Sequence, residues 1–546
     1  MHSRTVMPAA TTGRNPVTIT SLFLLLASVS AVTLVCYVHL VHDFHHEEFG
    51  GRDFGFHGHG DGLRTRAAHG GSGGGGVHGH AHGHVDWHGE YHGDGAEHSG
   101  EGKAEEEEEE EHEEEEGGSE GEDPKPHHPR DGGHRDGGAP KGTKTKAGAQ
   151  VTSRQWVSQA GRPGAFAYNH MAMVSRLNNG TLLASWQASA MGEGKPDQSL
   201  RFAHGELSRP KETNAAPGIV WGAPFAAPLG GPGDAQGGVV WSPVTHVDAD
   251  GRIFLFYTQS TPGCRAPGGD VKLVVCEPDG STWSSPRIVY GYADGRINKV
   301  LANKLVVSSS GAWVLPFWRE LGSCRSTAQA EPTAGVLVSR DRGATWKSHG
   351  HISHASTWLI EQTVVESRGL GGDLRVPTLV MLCRTAANHV FKATSEDDGK
   401  SWSTADPIMN LPNPNAKVAA LGGLGGGERK WIVMVVNDHK EMPQPHRRCR
   451  TKLRVVGSSD GGKKWERLAS VEETLRPGLR YHYPTIMAVE GDTNVGIDGG
   501  GEGSAGGDGP TTKDFVLMYS TFFMKGFSKG GVKEGINSVV LRLTLP

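Results

Sequence analysis

The sequence predicts an all-β domain built from repeated hairpin units, the pattern of a β-propeller, behind one membrane-spanning helix and a disordered stalk. Three observations predict it. From about residue 151 onward, short apolar runs such as Thr181-Leu-Leu-Ala-Ser-Trp186, Ile253-Phe-Leu-Phe-Tyr257 and Trp431-Ile-Val-Met-Val-Val436 alternate with Gly-, Asn- and Asp-rich turns. No segment there shows a long 3.6-residue apolar period, whereas Asn179-Gly180 and Asp250-Gly251 are hairpin-turn signals, because these residues accept positive φ. One eight-residue motif also recurs at hairpin positions, spaced by about 50–65 residues, the length of a four-stranded blade.

The elements follow in order. Residues 1–16 carry Arg4 and Arg14 and no acid, and residues 17–41 carry no charge at all. Such a run is long enough to cross a hydrocarbon core of about 30 Å. Asp43, Glu47 and Glu48 follow it, so the basic side is expected in the cytoplasm. The expectation is a single-pass type II signal anchor with a short cytoplasmic tail, the alternative being a long cleaved signal peptide. The large domain then lies in the lumen of the secretory pathway (Golgi) or at the cell surface.

Residues 42–150 read as a disordered His/Gly/Glu-rich stalk. Seventeen of the 29 His lie between His42 and His134, and residues 105–116 are Glu apart from His112. This composition buries too little apolar surface to offset the entropy of ordering. Its His spacing is irregular, so a solvated spacer is expected rather than a metal site. A formal net charge of −6 argues against binding nucleic acid by bulk electrostatics. The remaining residues, 151–546, hold nearly all the patterned apolar sequence. Within them Gly499 to Gly509 is a glycine-rich insertion in a late loop. An odd set of five Cys, Cys264, Cys276, Cys324, Cys383 and Cys449, leaves at least one without a partner within the domain. Cys36 falls inside the anchor, and Asn179-Gly-Thr181 is a glycosylation sequon on a predicted turn.

The recurring motif reads Ser339-Arg-Asp341-Arg-Gly343-Ala-Thr345-Trp346, then Ser395-Glu-Asp397-Asp-Gly399-Lys-Ser401-Trp402, then Ser458-Ser-Asp460-Gly-Gly462-Lys-Lys-Trp465. Cys276-Glu-Pro-Asp-Gly280-Ser-Thr282-Trp283 keeps the Gly-x-Thr-Trp half, and the Ser and Asp positions are lost. The Asp accepts turn N–H groups, the Gly takes a left-handed φ, and the Trp packs beneath the turn. All three Trp of the full copies are therefore expected to be buried. This Ser-x-Asp-x-Gly-x-Thr/Ser-Trp pattern is the Asp box. On it, the chain over roughly 155–545 resembles the sialidase (neuraminidase) superfamily, specifically its Asp-box, or BNR-repeat, domains.

The resemblance implies six blades and a particular chemistry. A sialidase substrate carries a carboxylate on its anomeric carbon, which repels a carboxylate nucleophile. That family uses a Tyr activated by a Glu instead. Arginines clamp the substrate carboxylate, and an acidic side chain serves as acid/base. The family pattern places Glu361 and Arg384 on Ile360-Glu361 and Leu379-Val-Met-Leu-Cys-Arg384, with a lengthened hairpin at residues 369–375 between them. It places Arg450 ahead of the strand leading to Ser458, with Arg447 and Arg448 as neighbours. It places the nucleophile in Tyr481-His-Tyr483-Pro484, with Tyr481 favoured. The acid/base falls in Gly192-Glu193-Gly194-Lys195-Pro196-Asp197, where Glu193 and Asp197 both qualify. Where the family has its first clamp arginine, this chain reads Phe166-Ala-Tyr168-Asn169-His170, so His170 or Asn169 stands in the position, His170 being the binding candidate. The implied function is a membrane-anchored exo-glycosidase that hydrolyses terminal acidic sugars, sialic acid or related, from glycoconjugates. No cofactor or metal ion is expected. The alternative is a carbohydrate-binding or adhesion propeller without catalysis.

Overall fold

The computed structural model describes the short strands His84–Val85 and Tyr91–His92 and residues 146–546, apart from 163–164, 209–216, 230–236, 321–331, 369–375, 426–430, 444–448, 475, 491–510 and 525–532. The predicted anchor at 17–41, most of the stalk, the Gly499 to Gly509 insertion, the hairpin extension at 369–375, Arg447, Arg448, Cys36 and Cys324 lie outside the described residues. Among the described residues no helix is long and apolar enough to cross a membrane.

Six antiparallel sheets form the six blades of a propeller among the described residues. Blade 1 comprises Tyr168–Arg176, Leu182–Ser189, Ser199–Ser208 and Gly218–Trp221, and blade 2 Val240–Val247, Ile253–Gln259, Asp270–Cys276 and Arg287–Tyr290. Blade 3 comprises Asn298–Leu301, Trp313–Glu320, Ala334–Ser339 and Lys347–Ile352, and blade 4 Ile360–Arg368, Pro377–Arg384, His389–Ser395 and Asp406–Pro412. Blade 5 comprises Ala419–Leu424, Trp431–Asn437, Lys452–Ser458 and Glu466–Glu473. Blade 6 takes Leu479–Ala488, Thr511–Phe523 and Gly535–Leu545 from the end of the propeller domain, and its outer strand, Gly148–Gln159, from the start of that domain. That strand pairs from Gly148 opposite Thr544 to Gln159 opposite Gly535. The closure joins the two ends of the domain and caps the edge of the last sheet.

Burial explains why the middle strands are continuous apolar runs rather than alternating ones. Ile253–Gln259 and Trp431–Asn437 are buried at every position, because each blade is covered by a neighbour on both faces. Outer strands such as Asp406–Pro412 have mostly exposed residues.

The repeated motif holds the blades together at their rims. In the first box Asp341 accepts from Ser339 Oγ (2.8 Å), Thr345 N (2.8 Å) and Thr345 Oγ1 (2.5 Å), while Ser339 Oγ accepts from Gly343 N at 2.8 Å. Gly343 lies at φ 86°. Each Trp then packs onto the preceding blade: Trp346 stands edge-on to Phe256 with ring centroids 5.4 Å apart, and Trp465 joins a cluster with Val380 and Leu382 of blade 4. Only Trp465 of the three is fully buried; Trp346 and Trp402 are half-buried. They fill a seam between blades that is open to solvent at its rim. The degenerate copy also corrects the sequence reading. Its Asp has moved by one position and was not lost: Asp279 accepts from Ser281 N at 2.8 Å, Thr282 N at 2.9 Å and Thr282 Oγ1 at 2.6 Å.

One backbone feature repeats around the axis. Met171 (φ 57°), Ser242 (51°), Arg296 (50°), Glu361 (48°), Asn415 (53°) and Tyr483 (53°) are all left-handed, one per blade, each in or just ahead of the first strand. A non-glycine residue in this region is held there only by its surroundings, at a cost of about 1–3 kcal/mol. In blades 1, 4 and 6 it coincides with a register shift, at His170/Met173, Ile360/Thr363 and His482/Thr485. A bulge of this kind re-aims side chains, and here it turns them toward the centre of the ring.

Candidate active site

A cavity of about 500 Å³ is lined by residues of blades 1, 2, 3, 4 and 6 together with Arg450, just ahead of the third strand of blade 5. That volume lies within the range of small-molecule sites, roughly 300–1,000 Å³. Four of the six left-handed residues, Met171, Ser242, Glu361 and Tyr483, are in its wall.

Glu361 and Arg384 meet because Ile360 pairs with Arg384 across the first hairpin of blade 4. Arg384 Nη1 donates to Glu361 Oε2 at 2.8 Å and to the Tyr483 hydroxyl at 3.0 Å, and its Nε donates to Asn415 Oδ1 at 2.7 Å. The Tyr483 hydroxyl donates to Glu361 Oε1 at 2.7 Å. Burial, then the Glu361 charge, pushes the Tyr483 phenol up, against the two arginines. The resting hydroxyl therefore keeps its proton and points it at the carboxylate. Burial pulls Arg384 down, but Glu361 and Tyr483 outweigh it and hold the guanidinium more firmly charged.

Arg450 is fixed by the junction of blades 5 and 6, where Tyr481 N donates to the Arg450 carbonyl at 2.8 Å. Its Nη2 donates to the Asn415 carbonyl and its Nη1 to His482 Nδ1, both at 2.7 Å. An arginine only donates, so Nδ1 of His482 accepts and a neutral ring carries its proton on Nε2. Burial, then the Arg450 charge, pushes the His482 pKa well below 6.5, which keeps that ring neutral. Burial, then the Arg384 charge, brings Arg450 down to about 10.

His170 lies against this group, its ring centroid 4.1 Å from that of Tyr483 and 4.9 Å from that of His482. Its Nδ1 is 2.8 Å from the Tyr168 hydroxyl and 3.6 Å from Glu193 Oε1. Glu193 also hydrogen-bonds Tyr168, whose phenol is pushed far up by burial and then by the Glu193 charge. Among the described residues, Arg384 Nη2, His170 Nε2 and His482 Nε2 are buried without a hydrogen-bond partner, and all three residues line the cavity.

The structure thus brings Glu361, Arg384, Arg450, His170 and Glu193 together and leaves two predicted residues apart. Tyr481 is the first. It pairs with Thr521 and packs in the core between blades 5 and 6, against Tyr519 at 6.2 Å. Tyr483 takes the position facing Glu361. The signal was Pro484: a proline cannot donate to the ladder, so pairing breaks between His482 and Thr485 and the chain turns at Tyr483. Asp197 is the second. It accepts from Ser189 Oγ at 2.7 Å, Ala190 N at 2.6 Å and Met191 N at 3.3 Å, so it ties its own loop while Glu193 faces the cavity.

Several residues of the site were not anticipated. Tyr168, Arg480 and His482 lie beside predicted positions in sequence, but nothing in the pattern marked them. Glu320 also lines the cavity, held by Trp318 Nε1 at 2.6 Å, and burial pushes its carboxyl up. Asn415 carries no motif and was silent in the sequence.

Residues 180–497 match the family model described as BNR repeat-like domain. No curated protein matches the sequence significantly. Among solved structures, the chain is similar to the Hadza microbial sialidase Hz136, with 16% identity over 69% of each chain and a TM-score of 0.47. It is also similar to the intramolecular trans-sialidase from Ruminococcus gnavus, with 14% identity over 70% of this chain and 96% of that one, TM-score 0.47. The NanB sialidase from Streptococcus pneumoniae gives 11% identity over 72% and 70%, TM-score 0.45.

Proposed function

We propose that this chain, which belongs to the BNR repeat-like domain family, is a retaining exo-glycosidase of sialidase type that removes terminal sugars bearing a carboxylate on the anomeric carbon. The observation that carries the reading is the Tyr483–Glu361 hydrogen bond at 2.7 Å, braced by Arg384, in the wall of the cavity. A phenol is neutral where a carboxylate nucleophile would be repelled by the substrate's own charge.

In the first step Tyr483 Oη attacks the anomeric carbon and its proton passes to Glu361. The bond to the leaving oxygen breaks, and Glu193, entering protonated, gives that oxygen its proton. The tyrosyl glycoside is then attacked by water. Glu193, now a carboxylate, takes the water's proton, and Glu361 returns its proton to Tyr483 as the Tyr–sugar bond breaks. Two inversions at one carbon give net retention. Arg384 and Arg450 hold the substrate carboxylate, with His170 and the Nε2–H of His482 taking the place of a third arginine.

That replacement favours a second reading, a glycan-binding propeller without catalysis, because an imidazole does not reproduce the bidentate fork of a guanidinium. A panel of fluorogenic ketosides of sialic acid and related sugar acids separates the two. Turnover that is lost in Tyr483→Phe supports the enzyme. Tight binding without turnover supports the second reading, and neither binding nor turnover sinks both.

We further propose a type II membrane anchor at residues 17–41 that places the propeller in the lumen or outside the cell. Arg4 and Arg14 ahead of the uncharged run support it, and so does the disulfide-bonded state of Cys264, which suits an oxidising compartment. Protease added to sealed microsomes should spare the chain beyond about residue 42; digestion of the propeller would exclude this orientation.

A further inference from the structure

The segment at residues 413–418, between blades 4 and 5, touches both arginines facing Glu361 and Tyr483 and the turn behind Tyr483 without belonging to the predicted machinery. Asn413 closes it as a turn, its side chain donating to and accepting from Ala416 at 2.8 Å each way. Asn415, left-handed and buried, accepts Arg384 Nε on its side chain and Arg450 Nη2 on its carbonyl, both at 2.7 Å. Two residues on, Lys417 is 1% exposed and its Nζ donates to the Pro484 carbonyl at 2.5 Å, directly behind Tyr483. Asn303 completes the frame from blade 3, donating to the carbonyls of Glu361 at 2.9 Å and Val418 at 3.0 Å.

A buried ammonium costs stability, and a carbonyl can be satisfied by cheaper donors. Lys417 is not required by packing alone: apolar residues of similar length fill buried sites without that cost. What it provides is a buried charge that acts with that of Glu361 and a hold, through the Pro484 carbonyl, on the left-handed turn that presents the phenol. Asn415 provides a fixed distance between two like-charged guanidinium groups that would otherwise repel.

We infer that residues 413–418 form the positioning segment of the site, in which Asn415 sets the spacing of Arg384 and Arg450 and Lys417 supports the negative charge shared by Tyr483 and Glu361. This rests on the glycosidase reading above. Burial brings Lys417 down to about 7, with Glu361 pulling it back up and Lys304 lowering it further. The other charged groups nearby are Arg384 and Arg450, both held by Asn415. The supporting charge is thus present below about pH 7 and fades above it.

The test uses the whole propeller with Lys417→Met and Asn415→Gly. Glycine accepts the left-handed φ of Asn415, so that variant removes the side-chain acceptor without backbone strain. Lys417→Met is expected to lower kcat at least about tenfold with KM nearly unchanged, as for a group acting in the transition state alone. Its melting temperature should stay level or rise, and the fall in kcat above about pH 7 that the parent is expected to show should disappear. Asn415→Gly should instead weaken binding of the planar 2,3-didehydro sialic acid analogue, read by calorimetry, at least about tenfold. A drop in melting temperature in step with kcat in Lys417→Met, and an unmoved pH profile, would mean a structural role only and overturn the inference. If the parent binds the analogue but turns over no ketoside, the glycosidase reading fails. The segment is then judged on binding, with Asn415→Gly weakening it and Lys417→Met leaving it within about twofold. Equal losses in both variants overturn it, as does a parent that neither binds nor turns over.

Discussion

Tyr483 and Glu361 are 122 residues apart in sequence, yet the tyrosine hydroxyl donates to the carboxylate at 2.7 Å, and both residues are left-handed. The first strands of blades 4 and 6 each break register at this point, and the break turns one side chain toward the other. Among the described residues, Glu361 is the acceptor the phenol's proton points to. Tyr483→Phe keeps the ring contacts with His170 and Arg450 and removes only the oxygen. It is expected to lower kcat at least about 10²-fold, whereas Tyr481→Phe, outside the cavity, should leave it within about twofold. Steady-state kinetics on one fluorogenic ketoside decides between the two tyrosines.

The fold was legible because it is written locally. Ser339, Asp341, Gly343 and Trp346 make a turn that needs no distant partner, and the same turn recurs at Ser395 and Ser458. Glu361 and Arg384 were legible because both sit on one hairpin, at a fixed offset from a box. Tyr481 lies in the core and Tyr483 in the cavity wall, a difference the sequence did not show because alternation along a strand cannot locate a bulge, and the bulge decides which tyrosine faces inward. Asn415 and Lys417 were invisible for a different reason. Their partners lie far along the chain, and only the packing of blades 4, 5 and 6 side by side brings Arg384, Arg450 and Pro484 to them.

Glu193 and Asp197 share a loop but not an environment. Burial pushes Asp197 up, and the donors from Ser189, Ala190 and Met191 more than reverse it, so its pKa is lowered overall. A carboxyl held ionised by its own loop is a poor proton donor. Glu193→Gln should therefore lower kcat at least about 10²-fold for a sialoside with an alkyl leaving group and far less for an aryl one, which departs without protonation. Asp197→Asn should cost stability and affect both leaving groups alike. The opposite pattern would return the acid/base role to Asp197.

The Asp boxes predict how the fold responds to acid. Hydrogen bonds from Thr345 bring Asp341 down to about 2. In Asp397 burial acts upward, but the Ser401 bonds prevail and bring it to about 2 as well. Both carboxyls bind protons less readily folded than unfolded, so the unfolded chain takes up more protons as pH falls. Their contribution is present above the ordinary value of 3.8 and is lost as pH falls toward about 2. Urea unfolding from pH 5 to 2 should show a shallower acid decline in the double variant Asp341→Asn/Asp397→Asn than in the parent. An identical slope would show that the boxes do not govern acid stability.

Burial ranks the three box tryptophans. Trp465 is fully buried among blade 4 residues, so Trp465→Ala should cost about 3–5 kcal/mol, as large core truncations do. Trp346 and Trp402 keep part of their surface in water even when folded. Their truncation removes less buried area and should cost about half as much. Equilibrium urea unfolding of the three alanine variants tests this order, and equal losses would mean that the seams, rather than side-chain burial, set the cost.

His482 decides how the anion side of the cavity behaves with pH. Its Nδ1 accepts from Arg450, so its proton is on Nε2, buried and, among the described residues, without a partner. Burial, and then the Arg450 charge, lowers its pKa well below 6.5. The unfolded imidazole takes up a proton near its ordinary value and the folded one does not. Stability from this residue is therefore full above 6.5 and declines as pH falls below it. Nitrogen-15 NMR of the imidazoles should find one ring that stays in the neutral Nε2–H form down to pH 5 and disappears in His482→Phe. That variant also removes the acceptor of Arg450 and a donor facing the cavity. It should raise KM for a carboxylated sugar about tenfold, while affinity for the corresponding sugar amide, which brings no charge, changes little. An imidazolium signal at position 482 by pH 6, or equal losses for acid and amide, would place the carboxylate elsewhere in the cavity.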